Sequence, residues 1–336
     1  MKTLDSLVEK ALSRRSFLAG AGVVAASAAI TGCSSNSSSV TLTPPTTSAA
    51  TPTDSDYLNY ALNLEYLEAQ FYLYAATGNG LASSDTTGGS ASGFTTTGTV
   101  TVGSAAQVPN LTTAQQEILN EIAFEEQAHV KFLRAALGTS AVAMPDIDLS
   151  FFGPLAVAAT ITTDATGPNA FNPFSSFDYF LVGAFLFEDV GVTAYAGAAP
   201  LISSAGVAAG YLTAAAGILA VEGYHAGYIR TSLTGRAIAA AAAGTAYPYI
   251  AAANLVEKLR DSLTVGETSS VETPLVVPAN MSTPSAIVAA NPTTAVGFAR
   301  TVNQVHHIVY GNPTVGAYKG GFFPNGTNSI FAVTTA

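Results

Sequence analysis

FEEQAHV, residues 124–130, sets two adjacent glutamates and a histidine in a segment that otherwise reads as apolar helix. The chain makes them conspicuous. Of its 336 residues 49% are hydrophobic, only 10% are charged, and just four are histidine. A charge taken out of water without a partner is costly, so the stretch needs either solvent or a counter-ion. Periodicity decides between the two. Ile122, Glu126, His129 and Leu133 follow four-, three- and four-residue steps, which is the stripe of one helix face. The acid and the imidazole therefore share the apolar face.

Three other helical stretches repeat the arrangement. Residues 205–234 carry Ile218, Glu222, His225 and Ile229, a second Glu-x-x-His. Residues 177–199 carry Leu181, Phe185, Glu188, Val192 and Tyr195, and residues 56–77 carry Leu58, Leu62, Glu65, Ala69 and Tyr72, with Glu68 at the margin. Each helix thus aims at least one carboxylate at a common centre. Carboxylates buried together repel one another and stay protonated unless cations neutralise them. The pattern calls for metal inside an all-α four-helix bundle.

One glutamate from each of two helices, with Glu-x-x-His from each of the other two, is the signature of dinuclear carboxylate bundles. LNLEYLEAQFYL, FEEQAHVKFL, LFEDVGVTAY and LAVEGYHAGYIR resemble the four helices of ferritin-like proteins. The resemblance covers residues 56–234. It implies two iron or manganese ions held by Glu65, Glu126, His129, Glu188, Glu222 and His225, with Glu126 and Glu222 as bridges. The tail stretches FARTVNQVHHIVYGN and GGFFPNG resemble bacterial ferritin-like lipoproteins and plant desiccation-related proteins.

Around this set, Tyr72 reads as a packed tyrosine whose hydroxyl bonds a ligand carboxylate. Glu125 reads as a solvated residue or an outer partner of a ligand. Glu68, one turn from Glu65, suits either a supplementary ligand or an outer acceptor. Asp189 stands off the stripe and reads as a helix-surface charge. His306 and His307 have no paired acid nearby and suit packing or an auxiliary metal site.

The N-terminus, SRRSFLAGAGVVAASAAITGC, pairs Arg14 and Arg15 ahead of a mildly apolar run that ends at Cys33. It resembles a twin-arginine export signal with a lipobox, which implies lipidation of Cys33 and a periplasmic or envelope location. Residues 1–33 form this signal, 34–55 a Ser/Thr/Pro tether and 56–234 the bundle, with 235–336 a helical extension packed on it. The first 32 residues carry a net charge of +2, leaving −12 for the rest of a chain whose total is −10. That balance argues against nucleic acid as a partner. Cys33 is the only cysteine, so neither an internal disulfide nor a thiolate cluster can form.

Long connections fall at residues 78–109 and 139–173, and further helices at 249–263 and 292–310. The uncharged run at 237–256 contains Gly244 and Pro248 and reads as buried or loop-to-helix sequence, not a membrane span. These additions argue against a hollow storage cage and leave smaller oligomers open. Two functional classes follow. One is a centre that reacts with dioxygen or peroxide, either ferroxidase-like with iron or catalase-like with manganese. The other is a non-enzymatic desiccation or stress protein whose ions hold the bundle together.

Overall fold

The computed structural model describes residues 51–103, 106–267, 269–277 and 287–335. The signal, Cys33 and all but the end of the tether lie outside the described residues.

The first bundle helix, α1, is Asp54–Thr77. Thr53 stands at its N-cap, in a capping box with Asp56. Helix α2, Thr113–Leu137, starts from a capping box between Thr112 and Gln115. After the short α3, Phe152–Ala158, comes α4, Phe177–Ala198, capped by Ser176. The fourth stretch divides in two. Helix α5 is Ser204–Ala209, and Gly210 then adopts φ +90°, a left-handed conformation that suits glycine, before α6 runs over Tyr211–Ala242. It outlasts the expected end near residue 234 because the alanine run after Gly235 favours helix. α7 is Tyr249–Leu263.

Helices α1 and α2 pack together, as do α4 and α6, and α1 also packs on α4. The 138–176 connection is thus the long crossover between two helix pairs. A two-residue parallel ladder, Val100–Thr101 (β1) with Ile147–Asp148 (β2), ties this crossover to the α1–α2 connection. This is an all-α, ferritin-like four-helix architecture. Helix α4 continued to Leu201 is long and apolar enough to cross a bilayer, but most of it is buried inside the protein.

The expected helix at 292–310 is only Val302–Val309 (α8). Thr301 caps it with Gln304, and the preceding segment instead lies along α4, where Arg300 N–H donates to Thr193 O. Residues 238–246 are largely exposed, so the uncharged run is loop-to-helix sequence and not buried. The tail docks on α1. Asn63 and Asn328 exchange two hydrogen bonds, and Phe322 packs edge-on to Phe151, Phe152 and Phe187.

Asp189 is not on the surface. It is buried and accepts from Arg230 Nη1 at 2.7 Å and Arg260 Nη2 at 2.9 Å. Arg260 also pairs with Glu272 at 2.6 Å, and Glu272 pairs with Arg300 at 2.5 Å. The outer side of α4 is covered by α7 and α8, so a residue off the inward stripe still meets protein. This network fastens the C-terminal part to the helix that carries Glu188.

Candidate metal centre

The six stripe residues converge. Glu65, Glu126, His129 and Glu222 bring one donor atom each within 4.8 Å of one another, and Glu126, Glu188 and His225 do the same. Glu126 belongs to both groups, whereas Glu222 belongs to the first alone. His129 Nδ1 lies 3.2 Å from Glu65, 3.5 Å from Glu126 and 3.6 Å from Glu222. His225 Nδ1 lies 2.9 Å from Glu126 and 3.5 Å from Glu188. The imidazole ring centres are 6.4 Å apart.

The halves are related by chain position. Tyr72, seven residues after Glu65, donates to Glu188 Oε1, and Tyr195, seven residues after Glu188, donates to Glu65 Oε1. Each tyrosine reaches from α1 to α4 or back. Tyr72 was expected to bond a ligand carboxylate. The role of Tyr195 escaped the sequence reading, although the repeated Glu-x6-Tyr spacing carried it. Glu125 meets His225 Nε2 at 2.7 Å. With Nε2–H donating there, a neutral His225 would turn its Nδ1 lone pair towards the cluster, where a cation could take it.

The cluster is poor in hydrogen bonds for its polarity. Both oxygens of Glu126, both of Glu222, Glu188 Oε2 and His225 Nδ1 are buried without a hydrogen-bond partner among the described residues. The 2.9 Å approach of His225 Nδ1 to Glu126 is close but misaligned, a charge contact in which both atoms aim at shared space. Buried polar atoms are nearly always satisfied, so this concentration is what a cation would relieve. Carboxylate and imidazole donors suit iron and manganese.

Without a cation, the protons report the same strain. Burial, then the charges of neighbouring carboxylates, push Glu222 and Glu68 well above the usual range. Burial lifts Glu65 to about 7, against the opposing pull of His129. For Glu126 burial also acts upward, but His129 and His225 prevail and hold it at about 2. Burial would lower His129, yet Glu65 and Glu126 raise it to about 12, and His225 is raised in the same way.

His306 and His307 stand apart from these groups. His306 is stacked on Tyr310, contacts Thr327 Oγ1 at 3.2 Å, and is pushed down to about 3 by burial. His307 Nδ1 lies 2.6 Å from Asn312 O, as in a donated hydrogen bond. Both are packed core side chains.

Fold and cluster together define a ferritin-like bundle with a buried, metal-competent carboxylate–histidine centre. The chain belongs to the ferritin-like domain family, whose model matches residues 53–235. It is 28% identical over 308 residues to a ferritin-like catalase, Nec2, of Nesocodon mauritianus, covering 89% of this chain and 91% of that protein. It is also 28% identical over 187 residues to the desiccation-related protein PCC13-62 of Craterostigma plantagineum, covering 55% of this chain and 54% of that one. No solved structure matches it.

Proposed function

We propose that this chain is an exported, envelope-held protein whose buried cluster holds two iron or manganese ions and dismutes hydrogen peroxide. In that reaction two peroxides give dioxygen and two waters. The carrying observation is Glu126, a carboxylate with both oxygens unpartnered, set between two imidazole–carboxylate groups. Glu65, His129 and Glu222 would hold one ion, Glu188 and His225 the other, and Glu126 both. When bound, the metal supplies the two-electron storage that dismutation needs.

The protein's own part is positioning. Tyr195 and Tyr72 fix the carboxylates of Glu65 and Glu188, and Glu125 holds His225 with Nδ1 inward. The surrounding apolar side chains keep bulk water from the charged centre. The relative named a catalase is similar along nearly the whole chain, which favours peroxide over dioxygen as the substrate. The Arg14–Arg15 signal and Cys33 supply the export route and lipid anchor of this reading.

A second reading has support of its own. His129 is 8% exposed and His225 3%, so the centre is nearly sealed, and a relative is named desiccation-related. On that reading the ions are structural and nothing turns over. Elemental analysis, peroxide loss with dioxygen release, and dioxygen uptake with Fe(II) separate the two. Metal with dismutation supports the first reading, metal without turnover supports the second, and absence of metal overturns both. Membrane fractionation with mass spectrometry of the Cys33 peptide tests the anchor.

A further inference from the structure

Between α1 and α4 the pseudo-symmetry of the centre breaks. Three residues after Glu65 stands Glu68, and three residues after Glu188 stands Gly191. A Cβ at Gly191 would lie 2.4 Å from Glu222 Oε2 and 3.2 Å from Glu68 Oε1. The space of an α4 side chain is thus filled by carboxylates from α6 and α1. Glu68 is buried, and among the described residues no group donates a hydrogen bond to it or pairs with it. Beside it is a cavity of about 20 Å³ walled by Leu64, Leu67, Phe187, Val190, Gly191 and Val309, with Glu68 as its one charged residue.

A buried carboxylate without a donor is costly to keep. One helical turn brings Glu68 beside Glu65, on the edge of the same face. The cavity gives its side chain room to move, and the missing Cβ at Gly191 gives it a way in. We propose that Glu68 is a seventh metal ligand, closing on the centre through the space that Gly191 leaves open.

This proposal rests on the reading of the cluster as a metal centre and adds chemistry to it. The carboxylates of Glu65, Glu126, Glu188 and Glu222 balance two divalent ions. A fifth negative charge adds attraction for a divalent ion and more for a trivalent one, which suits redox turnover.

The test titrates the full chain with Mn(II) alone, following stoichiometry and affinity by calorimetry and thermal stability with and without the ion. Wild type is compared with Glu68→Gln and with Glu117→Gln on the exposed face of α2. The expected result is two ions in wild type and in Glu117→Gln. Glu68→Gln should lose at least about tenfold in affinity for one ion, with a smaller metal-induced rise in Tm. Its metal-free Tm should be unchanged or higher, because a repelling carboxylate has gone. Equal affinity within about twofold and an equal Tm rise would overturn the proposal while leaving the metal centre standing. Wild type that binds no Mn(II) would overturn both. A crystal structure of the Mn(II)-loaded wild-type chain reads the same point without a variant: a Glu68 oxygen bonded to an ion supports the proposal, and a carboxylate turned into the cavity contradicts it.

Discussion

Tyr195 on α4 donates a hydrogen bond to Glu65 on α1, across the bundle and into the cluster. Its counterpart runs the other way, from Tyr72 to Glu188. Removing either hydroxyl frees a ligand carboxylate to rotate. Tyr195→Phe should weaken binding of the ion nearest His129, and Tyr72→Phe that of the ion nearest His225, each by about ten- to a hundredfold. Calorimetric titration with Mn(II) measures both, and equal losses at both ions in either variant would deny the pairing.

Glu125 acts on His225 from outside. Its side chain is 42% exposed, so Glu125→Ala should leave the fold intact. Without this acceptor the imidazole is less firmly held with Nδ1 inward, and affinity for one ion should fall by about tenfold. Glu121→Ala, also on α2 and exposed, should have no effect in the same titration.

The metal-free protein should lose stability as pH rises. Glu65 goes from 4.5 to about 7 on folding, and His129 goes from 6.5 to about 12. Both groups hold protons more tightly in the folded chain, so the folded state binds more protons than the unfolded one and rising pH favours unfolding. The contribution of Glu65 fades from about pH 4.5 towards 7, and that of His129 from about 6.5 towards 12. Glu126, held at about 2, works in the opposite sense, and its contribution is lost only as pH falls below about 4.5. Differential scanning fluorimetry from about pH 5 to about pH 9 should show a falling metal-free Tm and a flatter profile with Mn(II). A metal-free Tm that climbs over this interval would refute the assignment of protonated imidazoles.

Asp189 joins Arg230 and Arg260 beneath the helix that carries Glu188. Asp189→Asn leaves those buried guanidiniums short of a counter-charge and should cost about 3–5 kcal/mol in urea unfolding. Asp261→Asn, at an exposed position, should stay within about 0.5 kcal/mol.

The inward stripes were legible because helical period and rare charge coincide. Glu126, His129, Glu222 and His225 lie at positions where apolar residues belong, and a bound cation would account for them there. The same rule misplaced Asp189, because it assumes one buried face per helix, whereas α4 is covered on both sides by the bundle and by α7 and α8. The nearly continuous apolar run FDYFLVGAFLFEDV was the available signal, since a helix apolar all round is buried all round. The extent of α8 was hidden for another reason. Residues 290–297 close a local turn, with Asn291 N–H donating to Val296 O, and Arg300 N–H donates to Thr193 O on α4, a tertiary partner that local propensity does not report. Gly191 carries no signal in the sequence, because its meaning depends on side chains from α1 and α6.

The most direct measurement is elemental analysis of the folded protein purified from its own host, beside the double variant Glu126→Gln with Glu222→Gln. The account predicts two ions of iron or manganese per wild-type chain and none in the variant. A wild-type chain free of both metals, or a variant that keeps the full complement, would contradict it.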